Sequence, residues 1–134
     1  MALVPGLSAH VDLQVGEADT AVAFCSGHVR VLATPRLVAL CEQASCAAVD
    51  SRLTPGRTSV ATRVQFDHLA PVAIGSVVTA EATLERVEGR RLIFTISATL
   101  RSDARDGLVG AGRLTRVVVD EAAFMAKAGH LAEP

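Results

Sequence analysis

Glu42 is a carboxylate in an apolar stretch of this chain, where an ionisable side chain calls for a structural or functional explanation. Glu42 has no Lys or Arg within three or four positions, so no ion pair along a helix accounts for it. Its neighbours at helical spacing are apolar or small: Val38, Ala39, Ser45 and Cys46. A carboxylate in such a place is costly to bury unless it is paired or reaches water, and it suits a general base. The alternative is that Glu42 and Gln43 form a narrow exposed stripe.

Two further side chains could take part in chemistry. His68 is the last residue of a stretch in which apolar and polar side chains alternate, and it lies on the apolar face. A histidine at such a position is either a core residue or a proton-transfer group. Asp67 points the other way by strand parity, which excludes a Ser-His-Asp arrangement built from adjacent residues. Thr34 precedes Pro35, so we expect Thr34 to be the N-cap of a helix. A residue there lies beside free backbone N–H groups, which suit a thioester carbonyl oxygen or an oxyanion.

One strong helix must position Glu42 and Thr34. Residues 36–49 contain no glycine or proline, and the section LVALCEQASCAAV is apolar on almost every side. Such a pattern predicts a helix that is buried on most sides. At about 1.5 Å per residue, Thr34 and Glu42 lie about 12 Å apart along the axis. A direct hydrogen bond between them in one copy is therefore not expected.

After Pro55-Gly56 the hydrophobic period changes from about 3.6 to 2 residues, which predicts strands. Residues 60–68 form the first, and its even-numbered positions share one face with His68. Strands over 78–85, 92–100 and 108–119 follow, with a hairpin at Glu88-Gly89, a turn at 103–107 and a short helix at 121–128. Residues 8–16 and 20–25 contain further extended pieces. Short connections predict an antiparallel sheet, so the fold class is α+β, one domain over 1–134 with its sheet curled around the helix.

Composition excludes several classes of function. The chain has 134 residues and a net charge of −1, without the basic patch that a nucleic-acid binder needs. No apolar run is long enough to span a membrane, and the N-terminus lacks the features of a signal peptide. Three cysteines and four histidines show no metal-site spacing. Mean hydropathy is +0.38, so we expect a cytoplasmic protein that covers apolar surface with another copy of itself.

The sequence resembles the hot-dog-fold acyl-CoA thioesterases, and within them the fluoroacetyl-CoA thioesterase group. The resemblance runs from about Val31 to Gly129, and its most specific stretch is the hairpin Val87-Glu88-Gly89-Arg90-Arg91-Leu92. It implies a hot-dog fold and catalysis by a Thr, a Glu and a His, whose counterparts are Thr34, Glu42 and His68. It also implies a homodimer with active sites at the subunit interface and no metal or other cofactor.

The resemblance extends to candidate substrate-binding residues. Ala61 and Thr62 match the strand region that lines the acyl pocket of the family, although the fluoroacetyl group has glycine at the place of Ala61. There is no aromatic residue between Phe24 and Phe66, so the aromatic lid of that group is missing. We therefore expect a different acyl group. Arg90 and Arg91 could meet the phosphates of coenzyme A, or they could be a solvated pair beside a turn.

The leading hypothesis is hydrolysis of a small acyl-CoA thioester to the free acid and coenzyme A. Glu42 would activate water or attack the carbonyl itself, and His68 would assist in proton transfer. The alternative is a non-catalytic acyl-CoA binding or sensing protein on the same fold. A hot-dog hydratase ranks last, because it would need an Asp/His pair on the helix and adjoining loop, and the helix contains neither. The sequence leaves open the acyl group, coenzyme A or a carrier protein as the carrier, and a dimer or a tetramer.

Overall fold

The computed structural model describes residues 2–101 and 107–132. Its elements, in chain order, are β1 (Ser8–Gln14), α1 (Thr34–Val49), β2 (Arg57–His68), β3 (Val77–Glu88), β4 (Arg91–Arg101), β5 (Gly107–Asp120) and α2 (Glu121–Ala132). Two single 3₁₀ turns, Glu17–Asp19 and Asp50–Arg52, lie on either side of α1. No helix in the described ranges is both long and apolar enough to cross a membrane.

The five strands form one antiparallel sheet in the order β1-β3-β4-β5-β2. The inward positions of β3 and β4 alternate as predicted, and Gly89 makes the hairpin between them with a φ of 63°. Helix α1 packs against one face of this sheet, with Leu37, Leu40 and Ala44 fully buried. The predicted α+β hot-dog architecture, a sheet wrapped around one long helix, is confirmed. The sequence did not show that β2 pairs with β5 at the edge rather than with β3.

Helix α1 begins differently from the prediction. Its N-cap is Ala33, which makes no side-chain capping bond, and Thr34 is already the first helical residue. The expected N-cap role of Thr34 is therefore wrong. Because Pro35 has no N–H to be capped, the first turn needs fewer partners and the Thr34 hydroxyl is left for another contact.

The prediction that α1 is buried on most sides is confirmed, and beyond the first two residues one side of the helix is open. Ala39, Gln43 and Ala47 are exposed along it, while Glu42 and Cys46 are half-buried beside them. These exposed residues are small or uncharged. They are typical of a helix face that another apolar surface covers, since isolated apolar faces in water are unfavourable.

A β-bulge between Ala61 and Arg63 changes the predicted faces of β2. Ser59 and Ala61 pair with the inward-facing Val118 and Arg116, whereas Val60 pairs with Val117. Past the bulge, Val64, Phe66 and His68 face inward as predicted. The expectation that Val60 and Thr62 share their face is wrong, because one extra residue reverses the alternation.

The ends of the chain also differ in part from the predictions. Residues 20–25, expected to be extended, form turns with only an isolated bridge at Thr20. Helix α2 is longer than predicted, reaching Ala132, and none of its residues is buried. The turn expected at 103–107 falls almost wholly on residues 102–106, outside the described ones.

Candidate active site

The Thr34 hydroxyl and the His68 imidazole meet where the start of α1 lies against the end of β2. Thr34 Oγ1 is 2.7 Å from His68 Nδ1, a hydrogen bond between residues 34 positions apart. Within α1 the first N–H to bond back is that of Leu37, to the Ala33 carbonyl at 3.0 Å. The N–H of Arg36, one residue nearer the helix start, is therefore not used by the helix and adds to the positive end of its dipole. The pair stands at a place that favours a developing negative charge.

A cleft of about 370 Å³ opens beside this pair. It lies between the loop before α1 and the segment 68–71, and among its lining residues only Ser26, Thr34 and His68 carry polar side-chain atoms. Ion pairs fasten the loop: Arg30 binds Glu17, and Arg36 Nε lies 2.9 Å from an Asp19 carboxylate oxygen. An uncharged group fits this lining, because a charge there would lack a counter-charge.

The second nitrogen of His68 is enclosed. Nε2 is buried, and no described residue offers it a hydrogen bond. A buried N–H without an acceptor costs about 1–3 kcal/mol, so the tautomer with its proton on Nε2 is unfavourable here. Nδ1, which faces Thr34, is the nitrogen with a partner.

Glu42 does not join Thr34 and His68 within one copy; it belongs to a second cluster farther along α1. Ser45, one turn later, donates to the Glu42 carbonyl at 2.6 Å and accepts from Arg116 at 3.3 Å. The Arg116 guanidinium also donates to Ser59, to Oγ at 2.7 Å and to the carbonyl at 2.8 Å. Arg116 is only 6% exposed, and no carboxylate in the described part of the chain is paired with it. A buried cation held by serines alone is unusual, since buried charges are normally paired.

The pKa shifts of the two cysteines of α1 indicate which charges lie near this second cluster. Burial raises the pKa of the Cys41 thiol to about 12, and the negative charge of Glu42 adds to the effect. Burial also raises the pKa of Cys46, where Arg116 acts in the opposite direction and Glu42 in the same one. Glu42 and Arg116 therefore both act on one thiol, which places their charges in one neighbourhood.

Ala61 and Thr62 lie with this second cluster, not in the cleft. Ala61 is the ladder partner of Arg116, and Thr62 is the extra residue of the bulge, exposed and only 3.5 Å from the Thr115 carbonyl through its hydroxyl. Ala61 and His68 are seven positions apart on the strand, or about 23 Å at about 3.3 Å per residue. The predicted site residues thus form two groups in one copy: Thr34 with His68, and Glu42 with Ala61 and Thr62.

Comparison with known proteins tests whether the chain belongs to the family that its sequence resembles. The chain matches the fluoroacetyl-CoA-specific thioesterase family, FlK, over residues 15–122. The chain belongs to this family. It is therefore a thioester hydrolase on the hot-dog fold, as the resemblance implied.

Individual relatives agree with this assignment. The chain is 37% identical over 99 residues to the fluoroacetyl-CoA thioesterase of Streptantibioticus cattleyicolor, which covers 72% of this chain and 67% of that enzyme. A solved structure of the fluoroacetyl-CoA thioesterase FlK has a TM-score of 0.88 at 30% identity and covers 100% of both chains. A hot-dog-like protein from Thermanaerovibrio acidaminovorans has a TM-score of 0.85 at 25% identity, covering 97% of this chain and 93% of its own.

The two arginines of the family's hairpin lie outside the Thr34–His68 cleft of this thioesterase. Arg90 lies exposed in the turn between β3 and β4, and its backbone carbonyl accepts from Val118 at 2.8 Å. Arg91 lies 3.7 Å from a Glu88 carboxylate oxygen and lines a shallow depression on the outer face of the sheet. Neither borders the Thr34–His68 cleft. Their contact with coenzyme A stays a prediction.

Arg116 is the residue that sequence reasoning missed. The sequence pattern could have indicated it, because Arg116 lies between Leu114 and Val118 at an inward position of an alternating strand. A cation is rarely buried at such a position unless it has a structural or functional role. The described residues contain no group of three or more His, Cys, Asp or Glu side chains that could hold a metal ion.

Proposed function

We propose that this protein is a cytoplasmic homodimeric thioesterase that hydrolyses short, uncharged acyl-CoA thioesters, with each active site shared between two copies. Thr34 and His68 of one copy would act together with Glu42, Ala61 and Thr62 of the partner. The observation that carries the proposal is the 2.7 Å contact of Thr34 with His68 in an uncharged cleft at a helix start, with Glu42 too far along α1 to join it.

The edge of the sheet supports a shared site. Strand β2 is an edge strand of 12 residues without proline, so its outer row of N–H and C=O groups is free to pair with another strand. An antiparallel two-fold pairing of β2 with its copy would bring the His68 end of one strand toward the beginning of the other. The exposed, small-residue side of α1 would then face its counterpart. The same two-fold axis would place Glu42 of one copy near Thr34 and His68 of the other.

The chemistry follows from the groups that would meet there. The thioester carbonyl oxygen would lie at the start of α1, within reach of the Thr34 hydroxyl and the helix N–H groups, which stabilise negative charge as it develops. The carboxylate of Glu42 would take a proton from a water molecule that attacks the carbonyl carbon, or would attack that carbon itself to form an anhydride that water then opens. In either route the C–S bond breaks, a proton from the attacking water reaches the sulfur so that coenzyme A leaves as the thiol, and His68 assists that proton transfer.

The acyl group is expected to be short and neutral. The FlK enzyme has also been solved, as a variant, in complex with fluoroacetate and CoA, a structure that matches this chain with a TM-score of 0.81. This chain has Ala61 where that group has glycine and lacks aromatic residues between Phe24 and Phe66. We therefore expect acetyl to butyryl thioesters to be cleaved, without a marked preference for the fluorinated acetyl group.

A hydrolysis screen with the Glu42→Gln variant tests this function. Thiol release is followed with fluoroacetyl-, acetyl-, butyryl-, malonyl- and palmitoyl-CoA, using the purified chain. Glu42→Gln should lower kcat by at least about 10²-fold, the scale of losing a positioned base or nucleophile. Glu81→Gln makes the same chemical change on an exposed outer position and should leave turnover unchanged. No hydrolysis of any thioester, or a folded Glu42→Gln variant with the turnover of the parent chain, would contradict the proposal.

A further inference from the structure

The ring of Phe66 occupies the place beside His68 that a side chain on the neighbouring strand would normally fill. His68 is the ladder partner of Gly110, and Phe66 is the partner of Gly112. A Cβ added to Gly110 would overlap Cζ and Cε2 of Phe66. In an antiparallel ladder the Cβ atoms of partners are about 5 Å apart. The tip of the Phe66 ring therefore lies next to the His68 side chain, and only glycine at position 110 allows this.

This arrangement puts an apolar ring, which carries no polar atom, beside the imidazole. His68 Nε2 is the buried nitrogen for which no described residue provides an acceptor. Orphaned buried N–H groups are rarer in proteins than acceptors left without a donor. Both considerations favour the tautomer that carries its proton on Nδ1.

We propose that Phe66 is a positioning residue that sets the tautomer of His68, holding the ring proton on Nδ1, where it is donated to Thr34 Oγ1. With that oxygen accepting from His68, the Thr34 hydroxyl proton points away from the imidazole, toward the cleft. Thr34 then acts as a donor to the thioester carbonyl oxygen and not as a group that His68 deprotonates. This inference rests on the proposed function for its catalytic meaning, but the tautomer itself is a property of the folded protein.

Nitrogen NMR measures the tautomer without any substrate. The ring nitrogens of a ¹⁵N-histidine-labelled chain are recorded in mildly alkaline buffer, where an ordinary imidazole is neutral. His68 is assigned among the four histidines by the loss of its signals in His68→Gln. We expect the long-range ¹H–¹⁵N pattern of a ring protonated on Nδ1. A ring protonated on Nε2 in the unaltered protein would overturn the proposal.

Two substitutions of Phe66 separate packing from tautomer control. Phe66→Leu keeps an apolar neighbour, so the Nδ1 proton should stay and kcat should remain within about threefold. Phe66→Gln supplies an amide oxygen, so the proton should move to Nε2. The Thr34 hydroxyl would then turn to His68 as a donor, and kcat should fall by at least about tenfold with KM little changed, as expected for a bond made in the transition state.

The outcomes are distinguishable from failure of the proposed function. A protonated Nδ1 in a protein that hydrolyses no thioester would leave the tautomer inference intact and remove the function. A folded Phe66→Gln variant that keeps the Nδ1 proton would overturn the inference whatever its activity. If Phe66→Gln does not fold, Phe66→Ala replaces it, since water admitted beside Nε2 offers the same acceptor and the same proton shift is expected.

Discussion

Mixing two inactive variants tests whether each active site is shared between two copies. Glu42→Gln removes the carboxylate of one group, and His68→Gln removes the imidazole of the other. Thr34 and Glu42 are about 12 Å apart along α1, and Ala61 and His68 about 23 Å apart along β2, so one copy cannot assemble both groups. If the site is shared, a mixed dimer contains one site with both defects and one intact site. Random pairing gives half mixed dimers, hence about one quarter of the activity of the unaltered protein.

The assay co-refolds the two variants in equal amounts and measures thiol release, with native mass spectrometry to confirm that mixed dimers form. A matched control mixes His68→Gln with Thr34→Val, which damage the same group. That mixture should recover nothing, because every site lacks one of the two. Glu42→Gln mixed with Thr34→Val should recover the same quarter. Mixed dimers of Glu42→Gln and His68→Gln without recovered activity would refute the shared site.

Other properties of the chain can be checked separately. Thr34→Val should fold normally, because its hydroxyl caps no helix, and should lower kcat by about 10²-fold in the thiol-release assay, as for loss of one oxyanion donor. With its pKa raised from 9.0 to about 12, Cys41 should resist iodoacetamide in the folded protein at pH 9, while exposed Cys25 reacts; equal labelling would argue against that burial. The Cys41 thiol ionises at a lower pH in the unfolded chain than in the folded one. Its contribution to the free energy of unfolding is therefore fully present below pH 9 and declines as the pH rises toward 12, which urea titrations at several pH values would measure. Gly112→Ala should destabilise by at least about 2 kcal/mol in urea unfolding, since its Cβ would overlap the Gln65 carbonyl oxygen, whereas Gly129→Ala in α2 meets nothing and should stabilise by about 0.5 kcal/mol or more.

Local pattern was sufficient to predict α1, the strands of the sheet and the types of functional side chain. Alternation along β3 and β4 identified their buried positions, because a strand between core and solvent repeats every two residues. The absence of glycine and proline in 36–49 identified α1, and Glu42 stood out because nothing near it on the helix could neutralise it. Together with the hairpin motif around Gly89, these features led to the family and the hot-dog fold.

Tertiary structure decided how those residues are combined. The bulge at 61–63 reversed the faces of β2, an effect of one extra residue that alternation cannot reveal. Thr34 matched a helix cap locally, yet its hydroxyl bonds to His68, because the start of α1 and the end of β2 meet only after the sheet has closed around the helix. The contact between Phe66 and Gly110 likewise depends on the pairing of β2 with β5. Such contacts join residues tens of positions apart, and propensity and periodicity describe only neighbours along the chain.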